Sequence, residues 1–238
     1  MKNEKQKKLV TFGDSFIAQH LYMKELEPES WIDYICKENS YVFDGYGCAE
    51  TGIDNTIVNF LNYLEDFDVC IFAWSDPNRE YIPLRNLKSI KGGSWNFITD
   101  KEKNIGSEYR KYFSDITIEN IRSVSILQWF DRHLQKHYKD KKFIHLYCFE
   151  LEDLQKHSKF RLVGDKFYPH IFKRGINIKP ELIKFSKLLD FKTVDEDRPL
   201  HMADKVSISF AKQLNKVLKD ESLVDGNIVK FDLEYMKD

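Results

Sequence analysis

The chain lacks an excess of either charge. Its 238 residues carry 37 Lys and Arg against 38 Asp and Glu, a formal net charge of −1. A dedicated nucleic-acid binder gathers a basic surplus on one face, so no nucleic-acid partner is expected. Cysteine is scarce as well, and the four present (Cys36, Cys48, Cys70, Cys148) include no C-x-x-C pair. That removes the common thiol spacing for zinc and for redox chemistry. Cys70 and Cys148 lie in apolar runs, where a thiol acts as a small hydrophobe, and all four read as reduced and structural. No apolar run approaches the about 20 residues that a membrane-spanning helix needs. Met1 to Lys8 is polar and lysine-rich, without the apolar core of a secretory leader. The expected setting is the cytoplasm, or a particle assembled there, with no membrane partner. Repeats, low-complexity tracts and a Pro/Gly-rich linker are also missing, so one domain over residues 1–238 is expected.

What is present is apolar material in alternating patterns. Hydrophobic residues make up 42% and aromatics 14% of the chain, enough for a substantial core. Short β-type runs alternate with helical periodicity, the pattern of a parallel sheet wrapped by helices. Leu9–Phe12, Tyr41–Phe43, Val69–Ala73 and Phe143–Tyr147 read as strands, the third a continuous apolar run of the kind buried on both faces. Helices are predicted over Trp31–Lys37, from Asp54 as a plausible cap, over Ile116–Tyr138, from Pro180 through Leu189, and from about Met202. Residues 80–115 have weak periodicity and read as an insertion or lid. Residues 150–179 read as irregular, and Asn227–Leu233 as a terminal strand or a tail.

Open α/β sheets bind ligands at the carboxyl ends of their strands. Gly13-Asp14-Ser15 falls at such an end. Gly13 permits a sharp exit from the strand, and Ser15 could present its hydroxyl above the sheet with its backbone N–H as a donor to an oxyanion. The tripeptide alone also suits an ordinary turn. A serine nucleophile needs a base, and the base needs an orienting acid. His201, within Asp197-Arg198-Pro199-Leu200-His201 and just before the last amphipathic helix, is the candidate base. Asp197, four residues earlier, could reach its Nδ1, and Asp195 is the alternative acid. Two further loops could complete the site. Gly47 to Asn55 contains Gly52, whose backbone can approach closely enough to donate. Trp74 to Glu80 contains Ser75 and Asn78 as side-chain donors, with Arg79 placed to bind a substrate anion or to pair with Glu80 or Asp76.

These blocks together resemble the SGNH, or GDSL-like, hydrolases, a family of esterases, lipases, thioesterases and carbohydrate deacetylases. The resemblance covers most of the chain. G-D-S at Gly13, Asp14 and Ser15 implies that Ser15 is nucleophile and first oxyanion donor. In the second block Gly47 stands where the family commonly has Asn, and Gly52 matches the donor glycine. The third block, normally G-x-N-D, is Ala73-Trp74-Ser75-Asp76 here, so Ser75 takes the place of the oxyanion Asn. In the fourth, normally D-x-x-H, His201 matches while Arg198 stands where the Asp is expected and Asp197 lies one residue early. The W-S-D-P-N-R form resembles a divergent branch found among tailed-phage proteins, which extends the expected setting to a virion. The resemblance implies a three-layer α/β/α sandwich of flavodoxin-like form with a parallel sheet, cleaving an ester of a small molecule or carbohydrate without cofactor or metal. Trp95, Phe97, Tyr109, Tyr112 and Phe113 of the insertion could wall the substrate.

Other patterns point elsewhere. There is no G-x-S-x-G elbow of the larger α/β-hydrolase family. Lys91-Gly92-Gly93-Ser94 lacks phosphate-loop spacing and reads as a turn, which disfavours a nucleotide-binding domain. His133 and His137 are spaced i, i+4 but sit among Arg132, Lys136 and Lys139, and read as a solvated helix face and not a metal site.

Overall fold

The β-type runs become β1 (Lys8–Gly13), β2 (Val42–Gly47), β3 (Val69–Trp74), β4 (Lys142–Tyr147), β5 (Ile176–Lys179) and β6 (Ile228–Lys230). The computed structural model describes residues 6–14, 16–17, 30–47, 52–75, 116–148, 171–186, 204–220 and 227–233. All six strands join one sheet in the order β2-β1-β3-β4-β5-β6, and every neighbouring pair is parallel. Parallel strands need long crossovers, and the helices supply them: α1 (Trp31–Asn39), α2 (Ile53–Leu61), α3 (Ile116–His137), α4 (Leu182–Ser186) and α5 (Asp204–Lys219). The chain is thus an α/β protein built on an all-parallel sheet.

Side chains alternate across a strand, and the core divides accordingly. On one face Leu9, Ile71, Ala73, Ile144, Leu146 and Ile178 meet Trp31 and Ile35 of α1, Phe185 of α4 and Phe210 and Leu214 of α5. On the other, Val10, Phe12, Cys70, Phe72, Trp74 and Phe143 meet Ile57 and Phe60 of α2 and Leu127, Phe130 and Leu134 of α3. Every residue of β3 is buried, as its unbroken apolar run requires. Aromatic edges hold the second face together. Phe60 packs edge-on against Phe12, Phe72 and Phe130 with ring centroids 5.5, 5.2 and 5.3 Å away. Each such buried side chain contributes about 1.5–3 kcal/mol relative to exposure.

The local signals explain most element ends. Ser30 caps α1 in a reciprocal capping box: its hydroxyl accepts from the Asp33 N–H at 3.2 Å, and its own N–H donates to Asp33 Oδ2 at 3.1 Å. Three expectations change. The cap of α2 is Gly52 and not Asp54, because starting the helix at Ile53 buries that side chain, while Asp54 pairs with Arg122 of α3. β2 continues through Gly45 to Gly47, where Gly45 leaves room for Thr11, whose hydroxyl a Cβ there would overlap. Residues 176–179, read within an irregular stretch, form β5, and Asn227–Leu233 contains β6. The insertion at residues 80–115 lies outside the described residues.

Candidate active site

A parallel sheet has a functional edge where its strand order reverses direction. In the order β2-β1-β3 the chain leaves β1 toward β2 on one side and later fills β3 on the other. The switch point therefore lies between the carboxyl ends of β1 and β3. Gly13, the last residue of β1, is in register with Gly47 of β2 and Ala73 of β3, so three strand ends stand level, about 4.8 Å apart. Gly13 has φ +150°, and a Cβ there would overlap the Ala73 carbonyl oxygen. Only glycine meets both demands. Its absence of a side chain lets the following Asp14 N–H donate to the Ala73 oxygen at 3.3 Å.

Asp14 and Ser75 are both fully buried, and the Ser75 hydroxyl donates to Asp14 Oδ2 at 2.6 Å. That distance lies at the short end of the range for an O–H···O hydrogen bond. The Asp14 carbonyl accepts from the Ile17 N–H at 2.9 Å, the first turn of a helical segment at Phe16 and Ile17. The Phe16 carbonyl in turn accepts from Trp31 Nε1 at 3.2 Å, which ties this turn to α1. On the β2 side, Gly52 is buried and caps α2 without a side-chain bond. Its carbonyl accepts the Thr56 N–H and Thr56 hydroxyl, each at 3.1 Å.

Of the proposed catalytic, oxyanion and substrate-binding residues, Gly52 and Ser75 are described, as are Gly13, Asp14 and Gly47 of the first two blocks. Asp14 and Ser75 meet at the ends of β1 and β3, with Gly47 ending β2 level with Gly13, while Gly52 caps α2. Ser15, Asn78, Arg79, Asp195, Asp197 and His201 lie outside the described residues. Ser75, one of the candidate side-chain oxyanion donors with Asn78, donates its hydroxyl to Asp14 among the described residues. The pairing of Asp14 with Ser75 spans 61 positions, and no sequence signal announces it.

Other nucleophiles and ligand sets are disfavoured by their surroundings. Cys36, Cys70 and Cys148 are free thiols. Burial pushes the Cys70 thiol well up, and burial together with the Asp33 charge pushes Cys36 up to about 12, so neither ionises at neutral pH. His133 and His137 lie with ring centroids 4.6 Å apart. Among the described residues no group of three or more His, Cys, Asp or Glu could hold a metal ion, and no helix is long and apolar enough to cross a membrane.

No family model matches the chain, and no curated protein matches it either. A solved structure that it resembles in backbone course is that of a carbohydrate esterase, described as having an active site with divergent catalytic and non-catalytic binding functions. The two are 12% identical with a TM-score of 0.47, over 92% of this chain and 67% of the other.

Proposed function

We propose that the protein is a serine ester hydrolase of the SGNH type, a single domain of flavodoxin-like three-layer form with an insertion near residues 80–115. The observation that carries this reading is the meeting of three separated sequence blocks at the switch point. Gly13-Asp14 and Ser75 stand at the adjoining ends of β1 and β3, joined by a hydrogen bond, and Gly47, which opens the second block, ends β2 in register with Gly13. In this reading His201, oriented by Asp197 or Asp195, takes the proton of Ser15 as the serine attacks the ester carbonyl. The N–H groups of Ser15 and Gly52, with the side chain of Asn78, hold the oxyanion. His201 then protonates the leaving alcohol, and water attacks the acyl-serine to release the acid. The chemistry needs no cofactor. An O-acetylated carbohydrate is the substrate class we favour, on the family resemblance, with Arg79 as a contact for an anionic group, and a cytoplasmic or virion setting fits the sequence.

Ser15→Ala should abolish turnover of a small acetyl ester and labelling by a fluorophosphonate. Unchanged labelling in that variant would exclude Ser15 as nucleophile. A second reading, a binding module that keeps the fold with little or no catalysis, is favoured by one observation: the residue in place of the family's oxyanion Asn directs its proton to Asp14. Inertness of the wild type toward acetyl, longer acyl and thioester substrates would select it.

A further inference from the structure

We infer that Ser75 is a positioning residue, acting through Asp14, and not a donor to the reacting oxygen. This rests on the esterase reading above and goes beyond it by reassigning one member of the site. A serine hydroxyl carries a single proton. Here that proton meets Asp14 Oδ2 at 2.6 Å inside a region where both residues have no exposed surface. Turning it toward an oxyanion would take a short hydrogen bond from a buried carboxyl group to give one to the reacting oxygen, an exchange of bonds with no net gain. Ser75 therefore keeps its proton on Asp14 while the ester reacts.

The effect of that bond falls on the backbone. Among the described residues Asp14 is held at three points: its N–H donates to Ala73 O at 3.3 Å, its carbonyl accepts from Ile17 N at 2.9 Å, and its carboxylate accepts from Ser75. Two of these partners, Ala73 and Ser75, belong to the end of β3, so the pair stitches the exit of β1 to the exit of β3 across the switch point. Ser15 follows Asp14 in the chain, so a clamp on Asp14 bears directly on the exit from which the proposed nucleophile departs. An oxyanion donor is worth having only if it is held in place before the charge develops, and in this reading Ser75 and Asp14 supply that hold.

The test is a double-mutant cycle on acetyl-ester hydrolysis with Ser75→Ala, Asp14→Asn and the double variant, with Ser75→Thr as the conservative control. Thermal midpoints are recorded for all four, so that activity is compared on folded protein. The inference expects each single variant to lower kcat about 10-fold with KM within about 2-fold, the double variant to lose no more than either single, and Ser75→Thr to restore kcat. A direct oxyanion donor behaves differently: its removal costs about 100- to 1,000-fold, multiplies with the Asp14 loss, and leaves Asp14→Asn alone nearly silent. That pattern overturns the inference. If the wild type or Ser15→Ala shows that there is no serine esterase to test, the same cycle is read in the unfolding midpoints. Coupled losses there support the clamp itself, and additive losses reject it.

Discussion

Two buried polar clusters share this sheet, and their bonds run in different directions. At the carboxyl ends of β1 and β3, side chain meets side chain, Ser75 to Asp14, one residue before the proposed nucleophile. Across β4 and β5, side chains bond one another and also turn to the backbone of residues 172–174, a stretch outside any strand or helix. Asn177 accepts from Phe172 N at 2.9 Å and donates to Phe172 O at 2.8 Å. Asp131 of α3 accepts from the N–H groups of Lys173 and Arg174, each at 3.0 Å. His145 bonds the Arg174 carbonyl through Nε2 at 2.9 Å and accepts from Trp74 Nε1 at 3.1 Å. An indole N–H only donates and a carbonyl only accepts. His145 is therefore the neutral Nε2–H tautomer with both nitrogens committed, its ring flat against Phe172 at 3.8 Å. A buried histidine beside a tyrosine and two carboxamides invites assignment as a base, yet this one is scaffold. Burial of polar groups does not separate site from scaffold; what the groups are bonded to does.

The strongest way to break the comparison is at the glycine that brings β1 against β3. Gly13→Ala places a Cβ on the Ala73 carbonyl at a φ of +150°. Backbone strain of about 1–3 kcal/mol adds to overpacking of about 1–3 kcal/mol. The expected loss is about 2–6 kcal/mol in urea or guanidinium unfolding, with activity falling in any protein that still folds. A variant as stable as wild type would mean that the two strand ends can part freely, and the clamp argument would go with it.

The histidines sharpen the contrast, because His145 of the second cluster and His201 of the proposed mechanism predict opposite phenotypes. His145→Ala removes a ring stacked on Phe172 and leaves Trp74 Nε1 and the Arg174 carbonyl without their partner. The expected cost is about 3–4 kcal/mol of stability, on the scale of a buried aromatic truncation, with kcat of the folded fraction within about 2-fold. His201→Ala should leave the unfolding midpoint nearly unchanged and lower kcat by at least about 1,000-fold. Measuring both quantities in both variants exchanges the assignments if His145 proves to carry the activity.

The two regions also differ in how much of them could be read beforehand. β3 was legible because an unbroken apolar run has few other uses, and Gly13-Asp14 because strand, glycine and acid fall in that order. That the three blocks open at neighbouring strand ends, with Gly13 level with Gly47 and Ala73, follows from placing each block after a strand of one parallel sheet. The bond between Asp14 and Ser75 was not legible, since a hydroxyl in a strand-end loop has many possible acceptors and only the packing chooses one. β5 was hidden for a related reason. It is four residues long, Ile176-Asn177-Ile178-Lys179, and its buried Asn177 is tolerated only because Tyr147, Phe172 and Asn227 complete its hydrogen bonds. At α2, Asp54 looked like the cap, and burying Ile53 decided the matter instead.

The smallest effect lies beside the scaffold cluster, at the end of β5. Lys179 Nζ stands 4.4 Å from the centre of the Tyr147 ring and 2.9 Å from Glu181 Oε1, while Lys184 approaches the other carboxylate oxygen at 3.5 Å. Burial pushes the Glu181 carboxyl up, but the bond from Lys179, a backbone bond and the Lys184 charge outweigh it and hold it below the ordinary 4.5. A carboxyl depressed in the folded state takes up its proton more readily when unfolded. Its contribution is therefore full above the unfolded value and is lost as the pH falls through the folded one. Lys179 is lowered from 10.5, chiefly by burial and against the pull of Glu181. Its titration belongs to the alkaline side, where stability rises as the folded lysine gives up its proton first, and does not overlap the acid window. Wild type should exceed Glu181→Gln by about 0.5–1 kcal/mol at neutral pH, the scale of an ion pair that solvent still reaches in part. Denaturant curves taken at falling pH should show that gap closing below about 4.5, with ester turnover at neutral pH the same in both proteins. A gap that persisted unchanged into strong acid would show that Glu181 acts through packing and not through its charge. A large loss of turnover would move the end of β5 out of the scaffold and into the site.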